Sequence, residues 1–205
     1  MMELTAAEPR RKGLTQLYID GEAAVKVDAE IFLLSKLKPG DQLTDEELPE
    51  LIQASDARRA KEKALYLLEH RNHSKKELTE KIARTAASRE AAQAAADHME
   101  ELGLVDDQAF ARSYAKDLFT RKRWGPLRVK QELRQKGIDP ELIQELLEEY
   151  GDEEQQLESL RAVLEKKYPG WQEDEKIHRR AYAGLQRLGY SYQQIREGMS
   201  GQWED

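Results

Sequence analysis

The sequence predicts a mainly α-helical fold: an elongated tandem array of three-helix, helix-turn-helix-like repeats preceded by a small N-terminal β-hairpin. Three observations predict it. A polar or basic run, a capping or glycine position and a short helix closing on leucine recur at residues 71–78, at residues 122–133 and, more weakly, at residues 179–188. The steps from Leu78 to Leu133 and from Leu133 to Leu185 are 55 and 52 residues, a spacing expected of stacked supersecondary units. With 205 residues, 39% hydrophobic and 36% charged, the chain is too polar for one large core and suits several small ones.

Each element has a local reason. Residues 14–27 are extended in pattern, and Asp20-Gly21 between Leu17-Tyr18-Ile19 and Glu22-Ala23-Ala24-Val25 is the pair expected of a two-residue hairpin turn needing positive φ. An isolated hairpin is marginal in water, so this one is expected to pack on helices. A short helix over residues 28–37, a Pro39-Gly40 turn and a helix opened by the capping box Thr44/Glu47 follow. From Ala57 onward, start and stop signals divide the chain into about nine helices. The first repeat reads as helices over residues 57–70, 74–84 (opened by Ser74/Glu77) and 88–102, the last rich in alanine and suited to close helix approach. In the second, Phe110, Ala111, Tyr114, Ala115 and Leu118 form one apolar stripe, Gly125-Pro126 and Asp139-Pro140 open the next two helices, and Leu142, Ile143, Leu146, Leu147 and Tyr150 form a buried face. In the third, Leu157, Leu160, Leu164 and Tyr168 share a stripe, Pro169-Gly170 breaks that helix, residues 173–188 form the next, and Ser191/Gln194 caps a short final one. The expected division is residues 1–56 for the hairpin and short helices, then repeats at 57–105, 106–150 and 151–205.

Composition excludes several function classes. There is no cysteine, which removes disulfides and thiolate metal sites. No apolar run approaches the roughly 20 residues of a membrane span, and Met1-Met2-Glu3-Leu4-Thr5 lacks a signal-peptide stretch, so a soluble, cytoplasmic protein is expected. No phosphate-binding glycine loop, zinc spacing or nucleophile elbow is present, so neither enzymatic activity nor a cofactor is expected. The histidines read as surface residues: His70 and His73 lie near a helix end without a convergent carboxylate or cysteine, and His98 and His178 are isolated.

Charge is distributed unevenly. The net charge is −7, yet from Asp107 to Lys136 nine Lys/Arg stand against three acids, and the following residues 137–160 hold nine acids and no Lys or Arg. Distant acids are screened over a Debye length of about 8 Å, so the local excess makes the middle of the chain the candidate polyanion surface. Arg121, Lys122 and Arg123 precede the helix at Pro126, where cations oppose the helix dipole and a bound phosphate would relieve the conflict. Lys130 and Arg134 stack on one flank of that helix, beside the buried side of Val129 and Leu133. A run of cations is most often only a solvated face, and Trp124 either stacks on an unpaired base or anchors its loop in the core.

The runs Ala64-Leu65-Tyr66-Leu67-Leu68…Arg71…Ser74…Glu77-Leu78, Gly103-Leu104-Val105-Asp106-Asp107…Phe110-Ala111…Tyr114 and Gly125-Pro126…Glu132-Leu133…Lys136-Gly137-Ile138 resemble the bacterial regulatory protein RecX family. The resemblance covers about residues 57–150, with several spaced motifs in the family's order; the third repeat and the N-terminal part fit more loosely. His73 stands where the family commonly has a basic residue. The resemblance implies a non-enzymatic modulator of RecA. Such a protein binds the RecA filament on single-stranded DNA, inhibits its growth and its recombinase and co-protease activities, and so modulates DNA repair, homologous recombination and the SOS response. An array of modules suits this task, since each contact with a filament raises the effective concentration for the next. The expected partners are the RecA filament and the single-stranded DNA within it, met by a monomer. The expected filament- and DNA-facing residues are Arg121, Lys122, Arg123, Trp124, Arg128, Lys130 and Arg134, with Arg71, Lys75 and Lys76 in the equivalent place on the first repeat. The alternative from another class is a direct nucleic-acid-binding repeat protein that acts without RecA; it would show a steep salt dependence and need no RecA.

Overall fold

The computed structural model describes residues 1–200. Two compact units divide the chain, Met1–Val105 and the segment from Asp106 onward.

The first unit opens with a sheet larger than the predicted hairpin. Strands β1 (Met2–Arg10), β2 (Leu14–Ile19), β3 (Glu22–Asp28) and β4 (Gln42–Leu43) are antiparallel in the order β3-β2-β1-β4. The β2–β3 turn is as expected: Asp20 (φ 50°) and Gly21 (φ 85°) both take the left-handed conformation. Asp20 does more than turn, because its carboxylate accepts the Glu3 N–H at 2.9 Å and ties β1 to the hairpin. β1 escapes a sequence reading because only Leu4 along it is fully buried and Pro9 interrupts it. Pro9 is tolerated because β4 pairs only with Met2 and Glu3, so the far half of β1 is a sheet edge on that side.

Helix α1 (Ala29–Ser35) is capped by Asp28, whose carboxylate accepts the N–H groups of Glu30 and Ile31. The Thr44/Glu47 box forms with both reciprocal bonds, at 2.7 and 3.2 Å. It opens α2 (Glu47–His70), a single helix of 24 residues where two were expected on either side of residue 56. Continuity is physically simple. The one proline, Pro49, sits in the first turn, where an amide has no helical acceptor, and no glycine or proline follows before His70. The helix serves two cores in turn: Leu51 packs with Leu4, Leu17, Ile19, Val27 and Leu43 of the sheet, and Ala60 and Ala64 pack with the first three-helix repeat. Ser55 Oγ accepts the Asp28 N–H at 2.7 Å, and Arg58 pairs with Asp28 and Glu30, which fixes the sheet to the helix.

The first repeat is completed by α3 (Lys75–Ala83), N-capped by Ser74, and α4 (Arg89–Glu101). Ala92, Ala95 and Ala96 of α4 face Ala60 and Ala64 in one buried cluster, the close approach that the alanine-rich stretch predicts. The second unit holds the other two triplets: α5 (Asp107–Thr120), α6 (Pro126–Gln135) and α7 (Pro140–Tyr150), then α8 (Glu153–Lys167), α9 (Glu175–Leu188) and α10 (Tyr192–Gly198). Leu78, Leu133 and Leu185, the residues that define the repeat, all fall on the middle helices α3, α6 and α9 and are fully buried, although at different depths along them: counted from the helix start, Val129 stands where Leu78 does and Ile82 where Leu133 does. Ser191 and Gln194 form the expected capping box of α10.

The second and third repeats are joined through backbone. The Gly125 N–H donates to Leu188 O at 2.8 Å and the Leu127 N–H donates to Gly189 O at 3.1 Å, so the start of α6 is seated on the end of α9. A Cβ on Gly125 would lie 2.4 Å from the carbonyl carbon and oxygen of Gly189, and Gly189 itself has φ +89°. Gly125→Ala is therefore expected to force the two backbones apart and to destabilise the chain by about 1–3 kcal/mol, read as a lower urea midpoint; an unchanged midpoint would show that the joint yields without cost.

Candidate functional site

Cations fall into three physical settings. In the first repeat, Arg71 grips Glu77 with two bonds of 2.8 and 3.0 Å, and Lys75 bridges Asp97 and Glu100 at 2.7 Å each. Those carboxylates, Asp97 foremost, hold the Lys75 ammonium above its usual pKa. Lys76 is exposed and makes no ion pair among the described residues. Of the three first-repeat residues expected to face a filament, two are thus engaged within their own module. His73, expected at the surface, is buried, and its Nδ1–H donates to Glu77 Oε2 at 3.0 Å. Its position at the residue before the Ser74 cap turns it inward, which spacing from His70 could not reveal.

The second setting surrounds Trp124. This side chain is half-buried against the second-repeat core formed by Phe110, Leu118, Phe119, Val129 and Leu133. The Arg128 guanidinium lies 3.7 Å from the centre of its ring and the Lys122 ammonium 4.7 Å from it. Both contacts are close enough for cation–π attraction, so the indole anchors its loop and carries cations; it is not an open platform for a base. Arg121 is tied to Asp117 one turn back at 2.7 Å. Arg123 takes φ 53° and its side chain is exposed; its carbonyl accepts the Tyr190 hydroxyl at 2.9 Å. Burial pushes the Tyr190 pKa up to about 12. Arg128 Nη1–H donates to the Arg187 carbonyl at 3.0 Å.

These bonds correct one expectation. A phosphate at the start of α6 was the reading that relieved the clash between cations and dipole, but the amides there already serve Leu188 O and Gly189 O. The end of a second helix supplies the negative pole that an anion would have supplied, and cations are at ease beside it. Arg187, Gly189 and Tyr190 were missed because nothing in their own spacing marks them as partners of a segment 59 to 67 residues earlier.

The third setting is the opposite flank of α6. At roughly 100° per residue, Lys130 and Arg134 lie with the exposed Leu127 on one side of the buried Val129/Leu133 stripe, and Arg128 lies on the other. Among the described residues Lys130 and Arg134 have no ion-pair partner. An acid one turn away, such as the Asp117 on which Arg121 depends, is absent here.

The comparisons with known proteins fit this architecture. Family models for the second and third three-helix domains of RecX match residues 106–147 and 153–199. The regulatory protein RecX of Caldanaerobacter subterraneus subsp. tengcongensis is 27% identical over 188 residues, covering 90% of this chain and 91% of that protein. The chain belongs to the RecX family. The regulatory protein RecX of Lactobacillus gasseri is 32% identical over 154 residues, covering 75% of this chain, which spans 57% of that longer relative. A crystal structure of regulatory protein RecX shares the fold at a TM-score of 0.63 and 23% identity, over 96% of this chain and 98% of that one. The structure of RecX from Lactobacillus salivarius does so at 0.59 and 23% identity, over 71% of this chain and 96% of that one. The motifs legible in the sequence lie in the first and second repeats, whereas the family models fall on the second and third. No helix among the described residues is long and apolar enough to cross a membrane.

The His73–Glu77–Arg71 cluster makes a measurable pH signature. Burial, the largest effect, lowers the His73 pKa below the ordinary 6.5, and the nearby Arg71 charge lowers it further against the bond to Glu77. The unfolded chain then binds more protons than the folded one below about pH 6.5, so stability falls as pH drops through that value toward the folded pKa. The stability lost on acidification from pH 7 through that window is expected to be smaller in His73→Gln than in the parent, measured by urea unfolding; equal losses would remove His73 from the account.

Proposed function

We propose that this RecX-family protein is a non-enzymatic regulator of RecA. In this reading it binds the RecA filament on single-stranded DNA, inhibits filament growth and the recombinase and co-protease activities, and so restrains recombinational repair and the SOS response. It acts from the cytoplasm as a monomer. The observation that carries the reading is a pair of family-matched repeats bearing cations that the chain itself does not neutralise, in a protein whose net charge is −7. On α6, Lys130 and Arg134 flank the exposed Leu127, a combination of charge and aliphatic surface suited to an acidic, partly apolar protein face. Lys122, Arg123 and Arg128 lie around Trp124 at the repeat joint, and Lys76 is the corresponding unpaired cation of the first repeat. Arg71, Lys75, Arg121 and Trp124 support the site by holding these segments in place.

The deciding assay is the ATPase of RecA on single-stranded DNA. The parent chain is expected to inhibit it. The K130E/R134E variant, which changes one half-buried and one exposed side chain and breaks no ion pair among the described residues, is expected to keep the melting curve of the parent and to need at least roughly tenfold more protein for equal inhibition, equivalent to about 1.4 kcal/mol. Undiminished inhibition by that variant would take α6 out of the filament contact, and an ATPase indifferent to the parent chain would end the reading.

A further inference from the structure

The third repeat carries a basic face that the charge pattern of the middle segment obscures. α9 holds Lys176, Arg179, Arg180 and Arg187 against one acid, Glu175, which is paired with Arg179. At roughly 100° per residue, Lys176, Arg180, Ala183 and Arg187 fall within an arc of about 60°, directed away from the buried Ala181 and Leu185. All four are exposed, and among the described residues the side chains of Lys176, Arg180 and Arg187 make no ion pair. Arg179, Arg180, Ala183 and Arg187 line a shallow cavity of about 300 Å³ closed on one side by Tyr168.

This face continues across the joint. The Arg187 carbonyl receives the Arg128 guanidinium, which Trp124 holds from its other side. One N–H of Arg128 is used in that bond, and its remaining donors have no protein partner among the described residues. Arg128 is thereby set at the end of the α9 stripe with little freedom left to lose on binding.

We propose that the exposed face of α9, extended by Arg128, is a track for the phosphodiester backbone of a single nucleic-acid strand. From Lys176 to Arg187 the helix rises roughly 16 Å, about five phosphates at 3.4 Å per nucleotide along a strand. The stripe is one side chain wide. Ala183 leaves a low floor between Arg180 and Arg187, so a thin strand can lie between two guanidinium groups. Three of the four cations are arginine, whose planar fork matches phosphate oxygens in pairs. A flat acidic protein surface would instead call for cations spread in two dimensions. The inference goes beyond the regulatory reading and does not depend on it: it assigns the nucleic-acid contact to α9 and Arg128, and leaves the Lys130/Arg134 flank of α6 for protein.

The test is fluorescence anisotropy of a labelled oligothymidylate with the full chain and no RecA, at a series of salt concentrations. The parent is expected to bind at low salt with a log–log slope near 3, for about four phosphate contacts at 0.7 each. R180E/R187E alters two exposed side chains and leaves the Arg187 carbonyl in place. It is expected to weaken binding at least tenfold and to reduce the slope by about 1.4, whereas K130E/R134E leaves both unchanged. Unchanged binding by R180E/R187E overturns the assignment, as does the absence of binding by the parent at low salt. Displacement by polyglutamate as effective as by unlabelled oligothymidylate overturns it in favour of an acidic protein ligand. Loss of RecA inhibition in the ATPase assay with strand binding intact would count against the regulatory surface alone.

Discussion

Where α6 begins, its first amides would ordinarily face water or a ligand; here they meet the last carbonyls of α9, backbone against backbone, between Gly125 and Gly189. Among the described residues each repeat has a core of only eight to ten buried residues, too small for packing alone to set how one triplet sits on the next. A contact made of main chain has no rotamers to vary, and two glycines allow an approach that any side chain would prevent. From this contact the rest of the second unit's surface follows. It joins the positive pole of one helix to the negative pole of another, leaves the surrounding arginines without an electrostatic quarrel, and brings Arg128 beside Arg187.

The distribution of unneutralised cations has an equally local cause. In a chain so rich in Asp and Glu, an acid three or four residues away on the same helix is the nearest source of a neutralising partner for a Lys or Arg. Arg121 has Asp117 and is paired; Arg179 has Glu175 and is paired. Lys130, Arg134, Arg180 and Arg187 have neutral or basic neighbours at all of those positions, and none of them makes an ion pair among the described residues. Three cations depart from this pattern: Lys75 is paired with Asp97 and Glu100 of the adjacent helix α4, and Lys76 and Arg128 have Glu80 and Glu132 four residues on yet make no ion pair among the described residues. Local spacing thus identifies many of the available cations, and packing neutralises others.

Much of the fold was legible because it depends on short-range signals. Caps such as Ser74, Asp106 and Ser191 mark helix starts by supplying an acceptor to a specific amide, and each does so in the structure. The features that escaped are those decided at long range. β1 has one fully buried side chain and a proline, so nothing in its own pattern separates it from a loop; it is a strand because the β2–β3 hairpin and Asp20 offer it partners. The sheet and the first repeat looked like separate bodies because their signals differ, yet α2 runs through both. Its continuity was written in the absence of a breaker, a weaker signal than the presence of one.

By itself, then, the sequence determined the order of the helices and, from residue 74 onward, their number, together with the recurrence that makes three of them a unit, a buried leucine on the middle helix of each unit and the concentration of positive charge in the middle of the chain. These follow from hydrogen-bond capping, apolar periodicity and composition, which act within a few residues. Only the tertiary structure decided which cations remain available, that the start of α6 is filled by α9, that Trp124 lies beneath Arg128, and that His73 is buried. Those outcomes depend on which groups meet from separate helices, as Gly125 meets Leu188 and Lys75 meets Asp97, or on which way a loop turns a side chain, and no local propensity encodes them.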